Sequence, residues 1–381
     1  MPDFQPDNWH DSLHQMWQQL RQQGKKLVLR DFIDTGWPRR QLPLILSKLP
    51  NDVRASFKPT ELDFHPGFAN HPHIDMVPNN KKWLEYDLWG TGYGWSFLPC
   101  YLSDEIQQRI NWAMSLEGEG IEAITTRVCW QWMPSRTTFD SINLINLIGL
   151  SLFHSGEENL NTQLETDWLK MSGVHFQSSI DKQLFFNSIR SSHSWFMSTP
   201  NILGRRLHYQ SQIPQSLAHA RQLMHMDTRS ARWQLSFEPF LPADDKATGQ
   251  KQRELVSLEK ENASFIAHSE LHRLIAMKPT VFDPHGYFEQ ALDAWKIANI
   301  YSEMFTAVSL STTEAIWKEQ YESTNGSTSN QQLKSQNELL ILADKLDHFC
   351  QSRNAPTELT LPLLLSAERL ADFAYSLTIS P

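Results

Sequence analysis

Four short stretches of this chain end in residues able to do acid–base chemistry or to recognise charge. Arg30 and Asp31 close the first. Lys58, Glu61, Asp63 and His65 follow the second, and Glu85, Asp87 and Thr91 belong to the third. Arg127, Trp130 and Trp132 follow the fourth. Two carboxylates facing each other across a cleft are what glycoside hydrolysis needs, one protonating the leaving oxygen and one activating water or attacking. An arginine and a lysine converging beside them would recognise a carboxylate-bearing sugar, the arginine as a bidentate fork and the lysine as a point charge.

Plainer readings exist for several of these positions. Arg30 and Asp31 can pair with each other and simply hold a strand end. Glu85 points to the opposite side of its strand from Leu84 and can be a buried partner for an arginine. Asp63 is harder to set aside: it stands between Leu62 and Phe64, just before His65-Pro66. An acid flanked by large apolar residues at a strand end is costly unless paired or used. His65, His71 and His73 with Asp75 raise a metal alternative, because His-x-His is a ligand spacing in metal-dependent barrel hydrolases. No further spaced His/Asp set follows on the later strands, so loop packing is the expectation for these histidines, with no metal and no cofactor.

The elements that must position these residues alternate. An amphipathic helix is expected over 9–23, with Gly24 at its C-cap. Strands are expected over 25–33, 53–57, 83–88 and 121–128, and helices over 41–49, 103–116 and 140–153. In the third helix Ser103 is the expected cap, with Asp104 and Glu105 complementing the dipole. Such alternation implies parallel pairing and a right-handed α/β layout. The expected fold class is a (β/α)8 TIM-barrel-like α/β architecture, represented by its latter four βα units, since the glycine-rich phosphate turn of doubly wound folds is absent. Beyond residue 156 helical patterns dominate: 157–171, 179–197, 213–232, 252–278, 284–307, 331–352 and 361–377. Asp283-Pro284 reads as a cap and N1 proline, and 241–251 and 324–332 read as exposed loops. The domain division expected is 1–156, carrying the site, and 157–381, helical.

Composition narrows the function class. The 381 residues carry a net charge of −9, which gives neither a basic footprint for nucleic acid nor attraction to an anionic membrane. No signal peptide or membrane span is visible in the sequence, and three widely spaced cysteines indicate neither a disulfide framework nor a zinc knuckle. A cytoplasmic setting is the resulting expectation. Fourteen tryptophans exceed the ordinary need of a core, and their faces suit stacking on sugar rings, although core packing is the expectation for any single one.

The stretches KLVLRDF, KPTELDFHP and PNNKKWLEYDLWGTGYGWSFLP, with a tryptophan-rich turn after the fourth strand, resemble the second half of the barrel in family 67-type α-glucuronidases. The resemblance covers roughly residues 25–170. It implies that Asp63 is one of two carboxylates activating water in an inverting hydrolase, and that Lys58 and Arg30 hold the carboxylate of glucuronic acid. The second carboxylate would stand where this chain has Thr91, and the general acid would lie on an earlier strand. Asp87 or Glu85 could be recruited instead. His65, Thr91, Tyr93, Trp95, Arg127 and Trp130 complete the expected substrate contacts. The expected function is thus glycoside hydrolysis of a uronic-acid-containing oligosaccharide. The alternatives are a silent saccharide-binding remnant of the same fold or a metal-dependent barrel hydrolase. Half a barrel leaves open edges, so self-association or association with a missing N-terminal half is expected.

Overall fold

The computed structural model describes residues 6–31, 41–61, 63–130, 136–155, 160–225, 240–322, 330–353 and 360–378. Trp132 and the second half of the 213–232 stretch lie outside them. The described residues fall into two compact units. One gathers the residues up to Asp87 with Asp104–Arg127; the other gathers Leu88–Ser103 and the residues from Val128 onward.

The first unit is built on a four-stranded parallel sheet, β1 (Val28–Arg30), β2 (Arg54–Phe57), β3 (Lys82–Asp87) and β4 (Ile121–Arg127), ordered as in the chain. Helices α1 (Pro6–Gln22), α2 (Gln41–Leu46) and α3 (Ser103–Ser115) alternate with the strands. Helix α1 stops where the sequence says it should. Gly24 takes a left-handed φ of 69°, its N–H reaches Arg21 O, and the Lys25 N–H reaches Leu20 O. That double bond pattern satisfies the last carbonyls and turns the chain into β1. The expected cap of α3 is not made: Ser103 Oγ is buried with no hydrogen-bond partner, packed where Gly149 leaves room for it.

The two faces of the sheet differ chemically. Ala55, Phe57, Leu84 and Tyr86 are buried on one face. The other carries three tiers of charge, because side chains alternate along a strand and in-register neighbours on parallel strands point the same way. Lowest, Glu122 accepts from Lys26 Nζ at 2.8 Å, from Arg54 Nε and Nη2 at 2.9 Å, and from Trp83 Nε1 at 2.9 Å. In the middle, Glu85 accepts from Arg30 Nε at 2.7 Å and from Ser56 Oγ at 2.6 Å. At the carboxyl end, Asp87 accepts both arms of the Arg127 fork, at 3.0 and 2.5 Å. Parallel sheets are ordinarily apolar on both faces, so this ionic face is a departure that demands a polar surrounding.

The second unit is mostly helical: α4 (Leu144–Ser155), α5 (Leu160–Ser172), α6 (Ser179–Ser198), α7 (Leu217–Leu223), α8 (Lys246–Met277), α9 (Tyr287–Tyr321), α10 (Asn330–Ser352), α11 (Leu361–Leu364) and α12 (Ala367–Ser376). Two-residue strands β5 (His175–Phe176) and β8 (Val281–Phe282) pair antiparallel, as do β6 (Asn201–Ile202) and β7 (Arg205–Arg206). Three local expectations give way here. Residues 246–251 are helical rather than loop, because Asp245 caps α8 by accepting the Thr248 N–H at 3.0 Å. Helix α9 starts at Tyr287 rather than at Pro284, since β8 holds 281–282 extended and Gly286, at φ 78°, turns the chain into the helix; Asp283 still accepts the Glu289 N–H. Helix α4 starts four residues late, because 138–143 is drawn into turns where Asn143 and, a little later, Asn146 take up the backbone of Leu98–Leu102. Among the described residues no helix is long and apolar enough to cross a membrane.

Candidate functional site

The chemistry gathers where β2, β3 and β4 of the first unit end. Lys58 follows β2 directly and is buried, although lysine almost never is unless its charge is met. It is met by Asp63, with which it forms an ion pair. The turn between them is unusual. Asp63 has φ 34° and Phe64 φ 66°, a left-handed pair without glycine. Asp tolerates that region, whereas a bulky aromatic there is an outlier. Its effect is to bring the Phe64 ring beneath two cations, Lys58 Nζ at 5.2 Å and the Arg127 guanidinium at 5.6 Å from the ring centroid. Arg127 in turn grips Asp87. Lys58, Asp63, Phe64, Arg127 and Asp87 therefore form one contiguous cluster of two carboxylates and two cations around an aromatic ring.

The two carboxylates differ in access. The Asp63 side chain is 39% exposed, whereas that of Asp87 is 0% exposed inside its bidentate pair. Of the two, Asp63 is the one open to solvent. Arg30, 46% exposed, sits in the tier below, paired with Glu85 rather than with Asp31. Glu85 is thus the arginine partner that its side of the strand allowed. His65 is buried and tilted against Phe68, with ring centroids 5.8 Å apart.

A second cluster adjoins Lys58. Asp31 leaves β1, and the 58–73 segment folds back by a Thr60–Asn70 bridge and a bond from His71 N–H to Pro59 O at 3.1 Å. This brings His71 and His73 onto Asp31: His73 Nδ1 lies 2.5 Å and His71 Nε2 3.7 Å from Asp31 Oδ2. Burial pushes His71 down to about 3, with Asp31 acting against the shift and the charges of His73 and Lys58 adding to it, so its imidazole is neutral. Asp75, the acid next to these histidines in sequence, is exposed and outside the cluster. The His-x-His spacing was the signal for this group. Its third member stands before the histidines in the chain, not on a later strand.

The remaining expected contacts belong to the second unit and are largely core. Tyr93 and Trp95 are 1% and 3% exposed. Trp95 stacks on Trp89 with centroids 6.1 Å apart, and Trp130 stacks on Trp89 at the same separation. Thr91 is buried, its carbonyl accepting from Ser211 Oγ at 3.0 Å. The GTGYGW turn closes on itself through Tyr93 N–H and Trp95 N–H, both donating to Gly90 O. Gly94 at φ 99° lets Leu98 pack where a Cβ would sit.

No family model matches the chain and no curated protein does. Among solved structures, the chain is similar to a GH138 enzyme targeting pectin rhamnogalacturonan II, with a TM-score of 0.53 and 8% sequence identity. The likeness covers 92% of this chain and 41% of that one, so the chain spans about two fifths of its neighbour's length. At that identity the likeness is one of fold: this is an α/β chain with a four-stranded parallel sheet and many helices, folded like part of a glycoside hydrolase.

Proposed function

We propose that this chain acts as a glycoside hydrolase-like protein on a uronic-acid-containing oligosaccharide, with Asp63 as the carboxylate that activates water. The observation carrying this reading is the cluster around Phe64, where a reachable carboxylate stands beside two cations suited to a sugar carboxylate. Lys58 stands in direct contact with Asp63, and Arg127 offers an aromatic-backed cation on the same ring. Asp87 and Glu85 are the candidate companions, and Arg30 is the candidate second contact to the uronate. The carbohydrate target of the GH138 neighbour supports the substrate class, and the α-glucuronidase resemblance of the 58–96 segment supports the finer assignment.

The consecutive parallel strands β1 to β4 fit one wall of a (β/α)8 barrel formed within residues 1–156, with 157–381 as its helical companion. Among the described residues β1 and β4 are each paired on one side only. That, with the ionic sheet face, supports pairing with a second copy or with further barrel strands.

A second reading has its own observation. Thr91 stands where the resembled family has a carboxylate, and the fully buried Asp87 carboxylate is locked in a bidentate pair with Arg127. Both favour a protein that binds acidic saccharides without turning them over. Release of free uronic acid from acidic oligosaccharides, by wild type and by Asp63→Asn, tests the first reading. Equal turnover by the two removes Asp63 from the mechanism. Calorimetric binding of glucuronate without any turnover by wild type selects the second reading.

A further inference from the structure

We propose that Asp31, His71 and His73 form a site for a zinc-class divalent cation, with Asp31 Oδ2, His71 Nε2 and His73 Nδ1 as the ligand atoms. One ligand atom from each of the three residues lies within 4.8 Å of the other two. Two imidazoles and one carboxylate suit zinc or a neighbouring first-row ion, whereas calcium and magnesium take sets of oxygen ligands. Tetrahedral zinc with bonds of about 2.0–2.1 Å separates adjacent ligand atoms by roughly 3.3 Å. The observed 2.5 and 3.7 Å separations from Asp31 Oδ2 bracket that value. With the third separation bounded at 4.8 Å, side-chain adjustments of up to about 1.5 Å open the site to the ion.

The protons balance. His71 Nδ1 now accepts the His73 backbone N–H at 3.2 Å, which places the His71 proton on Nε2. On binding, that proton moves to Nδ1 and the backbone contact is given up. The His73 proton, shared with Asp31, moves from Nδ1 to Nε2. Neutral imidazole is the form that ligates. Lys58 is the adverse charge nearby, and its ion pair with Asp63 offsets it.

All three ligands are buried, at 7%, 1% and 2% exposure. Three protein ligands leave the fourth position to a water, and their origin in two separate segments lets the ion also act as a staple. The ion would tie the 58–73 segment to the end of β1 and so fix the turn that carries Asp63. The inference stands on these residues alone and does not depend on the saccharide reading.

The test uses the full chain, cleaved of any affinity tag and stripped with a chelator. Zinc is titrated against a chromophoric competitor, and cobalt is added to a second sample. The expected result is one zinc per chain, a rise in Tm on zinc addition, and visible cobalt absorption of four-coordinate strength. His73→Gln keeps a side-chain N–H for Asp31 yet is a poor zinc ligand. It should retain the wild-type circular dichroism and lose affinity by about 100-fold or more. With fifteen histidines in the chain, weak surface binding is expected in both proteins and the difference between them carries the result. Zinc below about 0.1 per wild-type chain, or equal affinity in wild type and His73→Gln, overturns the site.

Discussion

Asp63 pairs with Lys58 across a turn in which Asp63 itself and the following Phe64 are both left-handed. Backbone strain of this kind costs on the order of 1–3 kcal/mol per residue and persists where the surroundings over-determine it. Here it aims a carboxylate outward and lays an aromatic ring under two cations. The same turn sets what each neighbouring residue should do when changed.

Asp63 and Asp87 are expected to separate function from stability. Asp63→Asn should lower turnover by about 10²–10⁴-fold, the usual contribution of a positioned acid or base. Its stability cost should be on the order of 1–2 kcal/mol, since the Asp63 position is 39% exposed and an asparagine carbonyl there can still accept from Lys58. Asp87→Asn should instead cost about 3 kcal/mol, because one side of a buried bidentate pair is lost. Urea unfolding and initial rates on the two variants check both statements.

Lys58→Met should act on recognition. It replaces a buried ammonium by an apolar stem of similar length, and a charged hydrogen bond is worth about 1.5–3 kcal/mol. KM for a uronate-bearing substrate should rise roughly 10–100-fold, with a neutral-sugar analogue affected far less. A uniform loss on both substrates would count against a uronate contact.

The lowest ionic tier predicts an acid-sensitive term in stability. Hydrogen bonds from Arg54, Lys26 and Trp83 hold the Glu122 carboxyl well below the usual range. Its folded pKa is depressed, so the stabilisation is fully present above the unfolded value of 4.5. As the pH falls below that, the unfolded chain takes up a proton that the folded chain refuses, and stability declines toward the folded pKa. The group is partly solvated, so the term should be on the order of 1 kcal/mol. Unfolding free energies compared between about pH 6 and pH 3 should show that extra loss in wild type and not in Glu122→Gln.

Gly94→Ala should be strongly destabilising in its buried turn. At φ 99° an added Cβ would lie 2.5 Å from the Leu98 side chain. Strain and overpacking together should cost about 3 kcal/mol, read as a lower Tm with the helical signal intact below it.

The alternation of strands and helices up to Phe153 was legible because each element's apolar period is local. So was the cap at Gly24, since a Schellman end depends on a few consecutive residues. That charged residues stand at the ends of β2, β3 and β4 followed from the same pattern, and Lys58 and Asp63 meet there. Local pattern did not reveal which partner each charge takes. Arg30 turns to Glu85 rather than to its neighbour Asp31, because parallel register puts 30, 56 and 85 on one face. Tyr93 and Trp95 look like sugar platforms in sequence, but Tyr93 is buried edge-on against Phe196 of α6 and Trp95 is buried in a stack on Trp89. Asp31 joins His71 and His73 across forty residues only because the 58–73 segment folds back on the end of β1. The sequence by itself determined which residue types stand at each strand end, since those follow from spacing. Tertiary structure alone decided which of them are paired, exposed or buried, because register and long-range folding set the distances on which charge and coordination depend.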